Sequence, residues 1–133
     1  MNLVRAATSL SLLLLLAGSA WADDAAKTRS RLPAGQCIDT TTSDINWVPI
    51  DDHTLVVRTV GRAFRITTSQ CQSLAGPLPR ITTVMRGGTS ICDPTDAQLY
   101  VASTGSGIAL PCFMQSIEAI TPDQARALEK SRR

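Results

Sequence analysis

Apolar and polar residues alternate most regularly between Thr54 and Thr67, in the run Thr-Leu-Val-Val-Arg-Thr-Val-Gly-Arg-Ala-Phe-Arg-Ile-Thr. Folding this run about Val60-Gly61, with Thr59 facing Arg62, sets Leu55 opposite Ile66 and Val57 opposite Phe64. All four then share one face, and Val56, Arg58, Ala63 and Arg65 take the other. Such alternation, with apolar cross-strand pairs, predicts a two-stranded antiparallel unit with one buried side. A register slip of one residue would set Leu55 against Arg65, so the pattern specifies the pairing. Val60 resists the positive φ that a primed turn asks of its first residue. A looser connection with Gly61 in the left-handed region therefore stands beside the two-residue turn.

Shorter periodic runs flank this hairpin. Ile45 to Ile50 reads as a strand in which Pro49 marks an edge or a bulge. Asp51-Asp52-His53 is a turn. Ser69 to Pro79 is a loop for Cys71 to pin down. Ile81 to Met85 is a threonine-rich strand that Arg86-Gly87-Gly88 turns back toward Ser90-Ile91-Cys92. Ala97 to Val101 alternates again, with Ala97, Leu99 and Val101 on one face. Ser103 to Gly107 is a glycine-rich hairpin tip, after which Ile108 to Leu110 resumes a strand. Pro111 interrupts it, and Cys112 to Ile120 continues. Thr121 as N-cap, Pro122 at the first position and Gln124 completing a capping box predict a short C-terminal helix. That helix is stable if Ala125 and Leu128 pack on a sheet. The expected fold is mostly β, a small antiparallel barrel or sandwich with two disulfides and a short C-terminal helix.

The first residues read as an address. Arg5, the apolar stretch Leu10 to Ala17 and the small residues of Ala20-Trp21-Ala22 predict a signal peptide over 1–22, cut before Asp23. The apolar run is well short of the ~20 residues of a spanning helix. Residues 23–36, with Lys27, Arg29, Arg31, Pro33 and Gly35, read as a flexible N-terminal segment, and 37–130 as a single β domain. Loss of Arg5 with the leader leaves a net charge of +1, which gives no support to nucleic-acid binding or strong membrane attraction.

Cys37, Cys71, Cys92 and Cys112 are separated by 33, 20 and 19 residues. These gaps lack the close pairs of zinc or redox motifs, and an even count in an exported chain reads as two disulfides. Of the three connectivities, Cys71–Cys92 nested inside Cys37–Cys112 is the expected one, a local bridge within one that ties the ends.

Candidate chemistry is sparse. His53 beside Asp51 and Asp52 lacks a second strong metal ligand and a marked nucleophile, so a solvated turn is the plainer reading. Asp93 reads as a turn former and Asp96 as a cap on backbone amides. Arg58, Arg62 and Arg65, near the hairpin tip, would suit an anionic ligand or a solvated face. Trp47 and Tyr100 are the aromatic contact candidates, or else core.

Several short motifs together carry a resemblance. Cys37-Ile38, Asp51-Asp52-His53-Thr54-Leu55 and Phe64-Arg65 ahead of Cys71-Gln72-Ser73-Leu74 are three of them. Ile91-Cys92 followed by Asp96, Cys112 ahead of Ser116-Ile117, and the Thr121-Pro122-Asp123-Gln124 helix start complete the set. Over Cys37 to about Leu128 the chain resembles an uncharacterised family of small exported bacterial proteins with four spaced cysteines, a domain of unknown function. The resemblance implies an exported, cysteine-framed domain, and it implies that Asp52, Arg65 and Asp96 are structural hydrogen-bonding or ligand-facing groups. It transfers no catalytic residue.

The expectation is thus a periplasmic or secreted binding or envelope-associated module with no metal, no cofactor and no enzymatic role, an envelope protein being the candidate partner. The first alternative is an inhibitor of an envelope hydrolase, a lysozyme or a protease, presenting Arg86–Ser90 or Ser103–Gly107. The second is an enzyme using Asp51, His53 or Asp96, which requires two of those side chains to converge in one cleft.

Overall fold

The computed structural model describes residues 31–132. The predicted signal peptide, and the part of the predicted flexible segment before Arg31, lie outside the described residues. The central hairpin forms in the expected register. Strand β3 (Thr54–Thr59) pairs antiparallel with β4 (Arg62–Thr68), Leu55 opposite Ile66, Val57 opposite Phe64 and Thr59 opposite Arg62. Gly61 takes the positive φ at +73° and Val60 does not, which removes the steric objection to a two-residue connection.

On one side of the hairpin β2 (Asn46–Pro49) pairs with β3, and on the other β9 (Met114–Ile120) pairs with β4. The result is a four-stranded antiparallel sheet in the order β2-β3-β4-β9, with Pro49 on an edge strand as its missing N–H requires. A second sheet of three strands follows the order β5-β7-β8, from β5 (Arg80–Met85), β7 (Ala97–Ala102) and β8 (Ala109–Cys112). The tip Ser103–Gly107 joins β7 to β8 in an antiparallel hairpin. Two short strands, β1 (Ile38–Asp39) and β6 (Ser90–Ile91), pair with each other. The sheets do not close into a barrel. β8 and β9 are consecutive in the chain, but the first pairs with β7 and the second with β4, so the strand switches sheets at Phe113. The interruption falls there rather than at Pro111, which stays in β8 opposite Tyr100.

Between the sheets lies the main core, including Leu55, Val57, Phe64 and Ile66 from the first sheet and Leu99 and Val101 from the second. The other face of the hairpin is covered too, where the sequence pattern predicts a single buried side. Val56 and Ala63 pack with Ala125 of helix α1 (Pro122–Ser131), and Val48, Ile50, Ile120 and Leu128 border them. The helix starts as predicted, with Thr121 Oγ1 accepting from Gln124 N at 3.2 Å and Gln124 Oε1 accepting from Thr121 N at 2.8 Å. Packing on the sheet stabilises a helix too short to persist alone.

Both disulfides differ from the nested arrangement. The bonds are Cys37–Cys92 and Cys71–Cys112, with Cα atoms 4.5 and 5.7 Å apart. Topology is the reason. Ile38 sits opposite Ile91, because β6 pairs with β1 instead of turning back on β5, and the adjacent Cys37 and Cys92 are thereby brought together. Past the end of β4, Ser69 N donates to Phe113 O at 2.8 Å, and this sets Cys71 beside Cys112 at the sheet crossover. Packing also starts ahead of Cys37: Leu32 is buried in the core and its N–H donates to Cys92 O at 2.8 Å.

Candidate functional site

The polar groups that the sequence singles out are distributed over separate parts of this frame. Asp51 Oδ1 accepts the amide of exposed His53 at 2.8 Å, an Asx turn between β2 and β3. The carbonyls of Asp52 and His53 accept from Cys71 N and Thr68 N at 2.9 and 2.7 Å, so this turn anchors the backbone that leaves β4. Asp96 lies ahead of β7. Its Oδ2 accepts from Cys92 N and Asp93 N at 2.9 and 2.8 Å, and Asp93 Oδ1 accepts from both the amide and the hydroxyl of Thr95. The carboxylates of Asp51 and Asp96 therefore serve local backbone amides at two different turns. Among the described residues, no group of three His, Cys, Asp or Glu side chains is placed to hold a metal ion.

The three arginines part company. Arg58 and Arg65 share the helix-facing side of the hairpin, whereas Arg62 lies on the opposite face by alternation. Arg58 Nε is 2.7 Å from Glu129 Oε1 of α1. Arg65 pairs across the strands with Glu118, Nε to Oε2 at 3.2 Å, beside a groove of about 320 Å³ that Gln124 and Leu128 also line. Arg62 donates to Gly35 O at 3.1 Å. Trp47 packs against the main core, and Tyr100 sits half-buried between Thr82 and Pro111.

Two buried or clamped polar arrangements escape the sequence pattern. Gln98 is buried: its Nε2 donates to Leu99 O and Cys112 O at 3.1 and 2.9 Å, and its Oε1 accepts from Arg86 Nη2 at 2.9 Å. This fully paired amide joins β7 to the crossover residue Cys112. The second is a clamp between two loops. Thr104 Oγ1, in the β7–β8 tip, lies 2.8 Å from Leu78 O and 3.2 Å from Pro77 O, and Ser103 Oγ lies 3.1 Å from Ser73 Oγ. Leu78 is 81 % exposed and has φ +50°. A groove of about 650 Å³ opens beside the same tip, lined by Arg80, Thr82, Ala102, Ser103, Thr104 and Ala109. The sequence signal for the clamp is the rigid Pro77-Leu78-Pro79 triplet facing a hydroxyl-rich tip; the pairing of the two loops depends on the sheet order.

The sequence pattern of a family described as "Family of unknown function (DUF6491)" matches residues 2–133. No curated protein and no solved structure matches the chain.

Proposed function

For a chain that belongs to the Family of unknown function (DUF6491), we propose the role of an exported, disulfide-framed β module that binds a partner of the cell envelope rather than transforming a substrate. The observation that carries this reading is the complete pairing of the four cysteines across long stretches of chain, 55 and 41 residues apart. Disulfides of this kind persist in oxidising spaces and are kept reduced in a cytosol. The leader-like stretch with Arg5, Leu10 to Ala17 and Ala20-Trp21-Ala22 points to the same compartment, the periplasm or the medium. Binding is favoured over catalysis because Asp51 and Asp96 already accept local amides.

The test is to express the full chain in a bacterium and fractionate the cells. The expected product is exported, has the intact mass of a chain starting at Asp23, and shows no free thiol. An uncleaved cytosolic chain with four free thiols would overturn the reading.

The clamped loop pair favours one second reading, inhibition of an envelope hydrolase. Ser103 and Thr104 hold the predicted presenting loop Ser103–Gly107 against the Leu78 loop, which reduces the ordering cost of docking. Titration of the purified protein into lysozyme and protease assays tests it, with stoichiometric loss of activity expected.

A further inference from the structure

Leu78 joins an exposed apolar side chain to a backbone conformation that a folded chain ordinarily avoids. It leaves a large apolar side chain 81 % exposed, and its φ of +50° is the one positive value at a non-glycine among the described residues. A γ-branched side chain in the left-handed region is strained. Pro79 adds to this, since a residue that precedes proline is driven toward extended backbone. The structure nonetheless holds the conformation from several directions. Pro77 and Pro79 fix the flanking φ angles, Thr104 Oγ1 engages the carbonyls of Pro77 and Leu78, and Ser103 ties the tip to Ser73. Backbone strain of this sort concentrates where a segment is pre-organised for a ligand.

We propose that Leu78 is an anchor residue, held ready to insert into an apolar, uncharged pocket on a partner protein. This rests on the reading of the chain as a binding module and names the side chain that does the binding. The loop chemistry selects the kind of partner. Pro77 and Pro79 have no N–H to offer, and the carbonyls of Pro77 and Leu78 already face the Thr104 hydroxyl. Between Pro77 and Pro79 the backbone thus offers a partner one N–H, that of Leu78, too few for the ladder of main-chain bonds that strand addition uses. The leucine side chain is what remains for a partner to read, and Gly76-Pro77-Leu78-Pro79 carries no charge. A rigid apolar anchor that fills a pocket is the geometry of an interface hot spot, since little freedom is lost on docking.

The experiment places a benzophenone amino acid at position 78 of the full chain in the cell that makes it, with Val60 and Phe113 as other exposed apolar positions. Adducts are identified by mass spectrometry, and the purified partner is titrated against the parent and variants. Expected are one discrete protein adduct from position 78, none from position 60, loss of that adduct on Thr104→Val, and about tenfold weaker binding on Leu78→Ala. Adducts from 60 or 113 but not 78 would overturn the anchor and leave the binding module standing. An absence of adducts from all three positions would sink both. Affinity within twofold of the parent for Leu78→Ala would also overturn the anchor.

Discussion

Arg58 Nε stands 2.7 Å from Glu129 Oε1, and through this contact the C-terminal helix is fastened to the central hairpin. It is a close ion pair rather than an aligned hydrogen bond: Nε and Nη2 of Arg58 and Oε1 of Glu129 are shielded from solvent and have no hydrogen-bond partner. Taken whole, the two side chains are 34 and 27 % exposed, so water screens part of the attraction. Removing one partner leaves a shielded charge, whereas removing both does not. Glu129→Ala should cost about 1 to 2 kcal/mol, and Arg58→Met with Glu129→Leu should recover most of it. Chemical denaturation of the four corners of the cycle measures the coupling. A coupling near zero would show that Ala125 and Leu128 alone hold the helix.

Val56 decides whether the hairpin is buried on one face or two. It lies fully buried under the helix, together with Ala63 and Ala125. Val56→Ala should therefore cost about 2 kcal/mol, the loss of two carbons and the space they leave. A solvent-facing valine would give a change within about 0.5 kcal/mol. Equilibrium unfolding distinguishes the two outcomes.

The hairpin register was legible because Leu55, Val57, Phe64 and Ile66 alternate without a break, and a slip of one residue would have set Leu55 against Arg65. Its second face was not, because Arg58 and Arg65 alternate there with two modest apolar residues and mimic a solvated surface. Their partners, Glu129 on the helix and Glu118 on β9, are 71 and 53 residues away, and only the folded chain brings them close. The capping box, by contrast, is entirely local, and so is the aspartate chemistry of the Asp93–Asp96 turn. Disulfide pairing belongs with the non-local features: it follows from β1 meeting β6, and two-residue strands carry too little pattern to announce that.

The two bridges close loops of 55 and 41 residues, which in the chain-entropy account gives each about 4 kcal/mol as an upper value. Replacing Cys37 and Cys92 together by alanine should lower the unfolding free energy by 2 to 4 kcal/mol, roughly the range for a native bridge in a small exported domain. Non-reducing peptide mapping checks the connectivity first. Trypsin leaves Cys92 and Cys112 on one peptide, so a second cut after Tyr100 is required to separate the linkages. Recovery of Cys71 joined to Cys92 would contradict the fold at β1 and β6.

Asp96 holds two successive amides, Cys92 N and Asp93 N, with one carboxylate oxygen. Charge-assisted bonds of this kind contribute roughly 1.5 to 3 kcal/mol. Asp96→Ala should destabilise the domain by about 2 kcal/mol, with faster hydrogen exchange at both amides. An unchanged exchange rate at both would remove the capping role and return Asp96 to the pool of ligand-facing groups.

Asp39 supplies the pH-dependent contact. Its Oδ1 accepts from the Thr41 hydroxyl at 2.7 Å and from the Thr41 amide at 2.9 Å. The hydroxyl first, and the amide second, hold its carboxyl below the ordinary value of 3.8. Since the folded-state value is the lower one, this carboxylate favours the native state above pH 3.8. The contribution fades as the pH falls through the depressed folded value. Thr41→Val deletes the hydroxyl and keeps the amide, so the Asp39 carboxyl should move up toward 3.8 without reaching it. Unfolding curves of parent and variant should then separate above that range and converge in stronger acid, where both carboxyls are protonated. A carbon-detected NMR titration of Asp39 reads the shift directly. An unmoved midpoint in Thr41→Val would mean that the amide alone depresses it.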